Sequence, residues 1–232
     1  MRHFVNSLAL LFLSFFCVQQ NAARPGAGIT EKQGIILSDV PQKVDTKARY
    51  LFYLHGKIVE QGRRPISPQY GVYEYDQILE AFRQNGFVVI SEQRRKDTDV
   101  EQYAGKVARQ VKRLIKAGVA PQNITVVGAS QGSWMAMLAS TYLRDRKVNF
   151  VFIAACSADD GFQRMVDLHG HLLFISERTD LPGSCQRFRA AGVSEYKEIE
   201  LNTGLRHGFL YRPMKEWVEP TVEWARVHSQ AG

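Results

Sequence analysis

The stretch Ile124-Thr125-Val126-Val127-Gly128-Ala129-Ser130-Gln131-Gly132-Ser133 joins a β-branched apolar run to two glycines that flank a serine. The first four residues suit a buried, pleated strand, and the chain beyond Gly132 reads as a helix to about Arg144. Gly128, Ser130 and Gly132 fit the spacing G-x-S-x-G, in which a sharp strand-to-helix turn projects the serine oxygen and glycines relieve crowding where backbone segments approach closely. The competing reading is a glycine-rich β-to-α turn without chemistry. A strand before the serine and a helix after it favour the first.

Strands and helices alternate outward from this point. Short apolar runs predict strands at residues 34–40, 48–54, 87–91, 124–128, 148–155, 171–176 and 195–201. Between them, helices are expected at 75–85, stopped by Gly86, and at 100–117, closed by Gly118 and Pro121. A short helix at 186–191 and a terminal one at 214–228, with Pro220 as a candidate break, complete the pattern. Apolar strands separated by helices predict a mostly parallel sheet covered on both faces, a doubly wound α/β domain.

The chain has 232 residues, 45% hydrophobic and 23% charged, a balance that excludes a disordered tail, a collagen-like repeat or a polytopic membrane protein. Residues 1–23 are expected to be a secretory signal, because the apolar run Leu8 to Val18 suits its central region and is too short to span a bilayer. Residues 24–47 read as an N-terminal lead-in and 48–232 as the domain. Losing Arg2 with the signal leaves 29 Lys and Arg against 23 acidic residues, a net +6. Lys106, Arg109, Arg113 and Lys116 share one helical face opposite Tyr103, Val107, Val111 and Leu114, which reads as the solvated side of an amphipathic helix. No nucleic-acid recognition motif accompanies it, so no nucleic-acid partner is expected. Cys17 lies in the signal, leaving Cys156 and Cys185 as an even pair in an exported chain.

From Arg49 to His228 the chain resembles the α/β-hydrolase superfamily, in particular its small dienelactone-hydrolase-like and esterase-like members. The resemblance rests on LFYLHGK at 51–57, VVGASQGS at 126–133, LLFISERTD at 172–180 and LRHGF at 205–209. It implies Ser130 as nucleophile and an order of serine, acid, histidine along the chain. Among six histidines, His207 follows the final strand at the edge where parallel sheets build sites, whereas His169 and His171 precede a strand and His228 lies in the terminal helix. His207 is therefore the expected base, and His55 resembles a structural histidine of an oxyanion motif. By resemblance the acid is Asp180, with Glu177 in reserve. The oxyanion donors implied are the backbone N–H groups of Gln131 and Lys57, so steric change at Gly56 is expected to be severe.

Together these readings predict a periplasmic or secreted serine hydrolase that cleaves an ester or related acyl bond through an acyl-enzyme. Thioesterase and peptidase action use the same machinery. The alternative is a non-catalytic envelope binding protein on a hydrolase scaffold. The expected partner is a small-molecule acyl substrate, with no cofactor, no metal and no stable membrane insertion once the signal is cleaved. Only the short stretch Asp160 to His169 separates two strands between which larger members of the resembled superfamily insert a lid, which predicts an open site without a large lid. Tyr70, Tyr73 and Tyr75 are candidate pocket walls and Arg63 and Arg64 candidate anion contacts. The fold would bring Cys156 near Cys185, either as a disulfide that fastens the Asp180 loop or as two separate buried thiols.

Overall fold

The computed structural model describes residues 1, 33–155, 165–180, 185–189 and 191–229. All elements below belong to one unit, Glu31–Gly232. Seven strands form the main sheet: β1 (Ile35–Leu37), β2 (Tyr50–Leu54), β5 (Val88–Ile90), β6 (Ile124–Ala129), β7 (Asn149–Ile153), β8 (Gly170–Glu177) and β9 (Val193–Leu201). A two-stranded hairpin, β3 (Ile66–Ser67) and β4 (Gly71–Val72), stands apart from it. The sheet order is β1-β5-β2-β6-β7-β8-β9, and every adjacent pair is parallel. The chain enters at the edge strand β1, passes to β2, places β5 between the two, then crosses β2 to β6 and proceeds to the other edge. This reversal leaves a crevice at the carboxyl ends of β2 and β6, where open parallel sheets bind ligands.

Both faces of the sheet are covered, and period-two alternation explains how. Phe52, Val126, Phe150 and Leu172 join one core cluster with Val107, Val111 and Leu114 of α2 (Val100–Lys116) and Met135 and Leu138 of α3 (Gln131–Leu143). Leu51, Val127, Val151 and Leu173 point the opposite way, to Ile78 and Phe82 of α1 (Tyr75–Gln84) and Trp217 and Val222 of α4 (Lys215–Val227). Each of these side chains withdraws apolar surface from water, worth roughly 1.5–3 kcal/mol for full burial. The basic face of α2 lies outward as its pattern predicts, with Arg113 paired to Asp39 and Lys106 to Glu92.

Three expectations need correction. The lead-in contributes β1, which pairs with β5, so the domain begins before residue 48. Helix α4 runs unbroken through Pro220, because a proline six residues into a helix gives up one hydrogen bond that packing of Trp217 and Trp224 offsets. The expected helix at 186–191 is a single 3-10 turn, Gln186–Phe188.

Candidate active site

Ser130 lies between β6 and α3 with φ 55° and ψ −122°, a left-handed conformation that costs a non-glycine residue roughly 1–3 kcal/mol. The surrounding bonds over-determine it. Ser130 N–H donates to the Ile153 carbonyl of β7 at 2.9 Å, and Ser133 N–H donates to the Ser130 carbonyl at 2.8 Å. Ser133 Oγ is buried 2.7 Å from the carbonyls of Gly128 and Ile153 and accepts from Ile153 N–H at 3.0 Å. The flanking glycines are forced by close approach: a Cβ on Gly132 would stand 1.9 Å from the Leu54 carbonyl oxygen, and one on Gly128 2.3 Å from that of Gly132.

His207 sits in the 3-10 segment Arg206–Tyr211 that follows β9, and Asp180 in the turn that follows β8. His207 Nε2 is 3.0 Å from Ser130 Oγ, and His207 Nδ1 is 2.6 Å from Asp180 Oδ2. An ionised carboxylate can only accept, so Nδ1 carries the hydrogen and Nε2 is left to accept from the serine hydroxyl. Three sequence-predicted residues from three separate connections thus meet in one hydrogen-bonded chain.

Glu177, the reserve acid, is engaged elsewhere. Its Oε1 accepts from Thr179 Oγ1 at 2.9 Å and its Oε2 from Thr203 N–H and Oγ1 at 2.9 and 2.8 Å. Burial pushes this carboxyl up, but the hydrogen bonds from Thr203 and Thr179 outweigh it and hold Glu177 below the ordinary carboxylate value.

Across the crevice, Lys57 opens the 3-10 segment Lys57–Gln61 and Gln131 opens α3, so the N–H of each lacks an intrahelical acceptor. Gly56 between His55 and Lys57 has φ −68° and ψ 162°, ordinary extended backbone, and an added Cβ would rest 3.6 Å from Ser130 Cβ. The backbone at Gly56 accommodates alanine, and the methyl would narrow the space beside the nucleophile, so a steric change there falls on the site rather than on folding. His55 is fully buried, with Nδ1 donating to the Gly56 carbonyl at 2.8 Å and Nε2 accepting from Arg94 N–H at 2.9 Å. Burial, then the Arg94 charge, lowers its pKa to about 3.

Arg94, which the sequence reading did not single out, braces this side of the site. Its Nη2 donates to the His55 carbonyl at 2.7 Å and to Gln131 Oε1 at 3.3 Å, while Nε donates to Glu60 Oε1 at 3.3 Å. Its guanidinium also lies 5.4 Å from the Tyr103 ring centroid. Burial pulls Arg94 below its ordinary value against the opposing pull of Tyr103 and Glu60.

A cavity of about 200 Å³ opens in front of Ser130, lined by Gly56, Lys57, Ile58, Tyr73, His207, Leu210 and Tyr211. Tyr73 is fixed by a 2.7 Å hydrogen bond to Tyr53 and packs 5.0 Å from the Tyr211 ring. Tyr70, on the β3–β4 hairpin, stands beside rather than within the cavity, 6.4 Å from the His207 ring. Gly208 permits that packing, since a Cβ there would come within 2.9 Å of Tyr70 Cδ1. Tyr75 is not a wall of this cavity: its hydroxyl bonds Ser91 Oγ at 2.7 Å and its ring meets His55 edge-on at 5.4 Å. Arg63 spans Asp76 and the Tyr75 ring, and with Arg64 borders a separate recess. Tyr211 and Leu210 were missed, although the apolar run Phe209-Leu210-Tyr211 just beyond His207-Gly208 was a signal for them.

Cys185 is buried and disulfide-bonded. Its expected partner Cys156 lies outside the described residues, as do residues 2–23 of the expected signal and residues 160–164 of the short segment from Asp160 to His169. Among the described residues no cluster of three or more His, Cys, Asp or Glu could hold a metal ion, and no helix is long and apolar enough to cross a membrane.

No protein-family model and no curated protein matches the chain. Solved structures do. A structure titled as an α/β serine hydrolase without a lid, from Xanthomonas campestris, is similar with a TM-score of 0.51 at 14% identity, over 84% of this chain and 88% of that one. An arylesterase reaches 0.53 at 16% identity over 83% and 79%, and a hyperthermophilic esterase from the archaeon Pyrobaculum calidifontis 0.54 at 19% over 80% and 78%.

Proposed function

The chain has the α/β-hydrolase fold, and on it we propose an exported serine hydrolase that cleaves a carboxylic ester or related acyl bond through an acyl-enzyme. The observation that carries the proposal is the unbroken hydrogen-bonded chain from Ser130 Oγ through His207 to Asp180. A neutral hydroxyl is a poor nucleophile, and a base within reach, itself oriented by an acid, activates it.

In this mechanism the substrate acyl group enters the cavity beside Tyr73 and Tyr211. Ser130 Oγ bonds to the acyl carbon as its proton passes to His207 Nε2, and Asp180 stabilises the imidazolium that forms. The oxygen that gains charge is held by the N–H groups of Lys57 and Gln131, whose orientation Arg94 braces through the His55 carbonyl and the Gln131 side chain. The tetrahedral intermediate collapses, the bond to the leaving group breaks, and His207 returns its proton to the departing oxygen. Water then attacks the acyl-serine by the same route, releasing the acid and regenerating Ser130. The disulfide at Cys185 supports export, because disulfides persist in oxidising compartments.

Steady-state hydrolysis of short-chain p-nitrophenyl esters tests the reaction. Turnover by the wild type that vanishes in Ser130→Ala and in His207→Ala is the expected result. No turnover by folded wild type across esters, thioesters and amides would favour the binding-protein alternative.

A further inference from the structure

We propose that Glu177 is a positioning residue whose buried carboxylate ties the Asp180 turn to the His207 loop and so sets the geometry of the His207–Asp180 hydrogen bond. The role rests on the hydrolase reading above. Strands β8 and β9 run parallel and register Glu177 opposite Leu201, and the last rung between them is Arg178 N–H to the Leu201 carbonyl at 2.9 Å. Past that rung both segments leave the sheet, and among the described residues β9 is an edge strand. Asp180 lies three residues beyond Glu177 on one side and His207 six beyond Leu201 on the other.

Glu177 bridges the gap with donors from both loops. From its own turn come Thr179 N–H at 3.3 Å and Thr179 Oγ1 at 2.9 Å. From the opposite loop come Thr203 N–H at 2.9 Å, Thr203 Oγ1 at 2.8 Å and Gly204 N–H at 3.4 Å. Both hydroxyl protons point to the carboxylate, which leaves the threonine lone pairs free. Thr179 Oγ1 accepts from Arg206 N–H at 3.3 Å, the residue before His207, and Thr203 Oγ1 accepts from Leu205 N–H at 3.2 Å. The clamp therefore reaches the residues adjoining both Asp180 and His207.

Five donors converging on one group specify a carboxylate, which has acceptor sites on both oxygens and no proton to offer. Glutamine has nearly the same shape but would turn an NH₂ group toward N–H and O–H donors on one side. Glu177→Gln thus breaks the clamp on one loop while changing volume little.

The test compares wild type, Glu177→Gln and Thr203→Val by the rate and final stoichiometry of fluorophosphonate labelling, and by the low-field proton NMR signal of His207 Nδ1–H. Glu177→Gln is expected to label completely but about 10- to 100-fold more slowly, as displacement of a reacting group by about an ångström predicts, with kcat lowered, KM changed less than about twofold and the low-field signal shifted or broadened. Labelling at the wild-type rate, whether of all molecules or of a folded fraction, would overturn the proposal and leave Glu177 with a stability role alone. If Glu177→Gln does not fold, Thr203→Val carries the test: slower, complete labelling supports the clamp and a wild-type rate refutes it. If wild type itself does not label, the hydrolase reading fails, and an unchanged His207 low-field signal in the variants would separately refute the positioning role.

Discussion

Lowering the pH should destabilise this protein through His55, and the size of the effect follows from its surroundings. Neutral His55 uses both ring nitrogens, one donating to the Gly56 carbonyl and the other accepting from Arg94 N–H. Protonation would convert that acceptor into a donor facing a donor, beside the buried Arg94 cation. The folded-state pKa is accordingly about 3, against 6.5 in a freely solvated histidine. A histidine with a depressed folded pKa contributes stability above its unfolded value that is lost as pH falls toward the folded one. Between pH 7.5 and 5.0 the unfolded chain takes up nearly a full proton at this residue and the folded chain almost none, a loss of about 2 kcal/mol. For a domain of this size that corresponds to a drop of roughly 4–8 °C in melting temperature. The assay is thermal or urea unfolding at both pH values for wild type and His55→Gln, which keeps an acceptor but cannot titrate. His171, also lowered by burial and by His228, acts with the same sign in both proteins and cancels in the comparison. Wild type should lose about 2 kcal/mol more than the variant across this interval. An equal loss in the two proteins would refute the reasoning.

Other substitutions separate the roles of neighbouring residues. Asp180→Asn keeps its shape but favours the wrong His207 tautomer, so kcat should fall on the order of 10³- to 10⁴-fold with an unchanged melting temperature, measured by ester hydrolysis beside a thermal melt. Gly132→Ala drives a methyl to within 1.9 Å of the Leu54 carbonyl oxygen and should prevent stable folding, whereas Gly56→Ala should melt within about 1 kcal/mol of wild type and lose kcat/KM through a narrowed site. Reduction of the native protein should lower its stability by about 2–4 kcal/mol, and Cys185→Ser should be equally weakened and insensitive to reductant. Differential scanning with and without a reducing agent checks both.

Much of this architecture was legible because its signals are local. The β-branched run ending at Gly128, the two glycines around Ser130 and the apolar stripe of α2 each specify an element without reference to distant residues. What escaped depends on contacts between segments far apart in the chain. Resemblance pointed to Asp180 as the acid, but what Glu177 does three residues earlier was not legible, because its partner Thr203 comes from the next connection. Arg94 sits in the polar stretch Glu92-Gln93-Arg94-Arg95-Lys96, which reads as solvated loop, yet it is 2% exposed because Glu60, the His55 carbonyl and Gln131 converge on it. The β3–β4 hairpin has only two residues in each strand, too few for a periodic pattern. Tyr75 shares its spacing with Tyr73, but the start of α1 turns it inward to Ser91.

The most direct test of whether Ser130 is an activated nucleophile is the intact mass of the protein after exposure to a fluorophosphonate, beside Ser130→Ala. One adduct per chain, formed with loss of fluoride, mapped to the Ser130 peptide and absent in the variant, is the predicted result. A folded wild-type protein that gains no adduct, or an adduct that persists in Ser130→Ala, would contradict it.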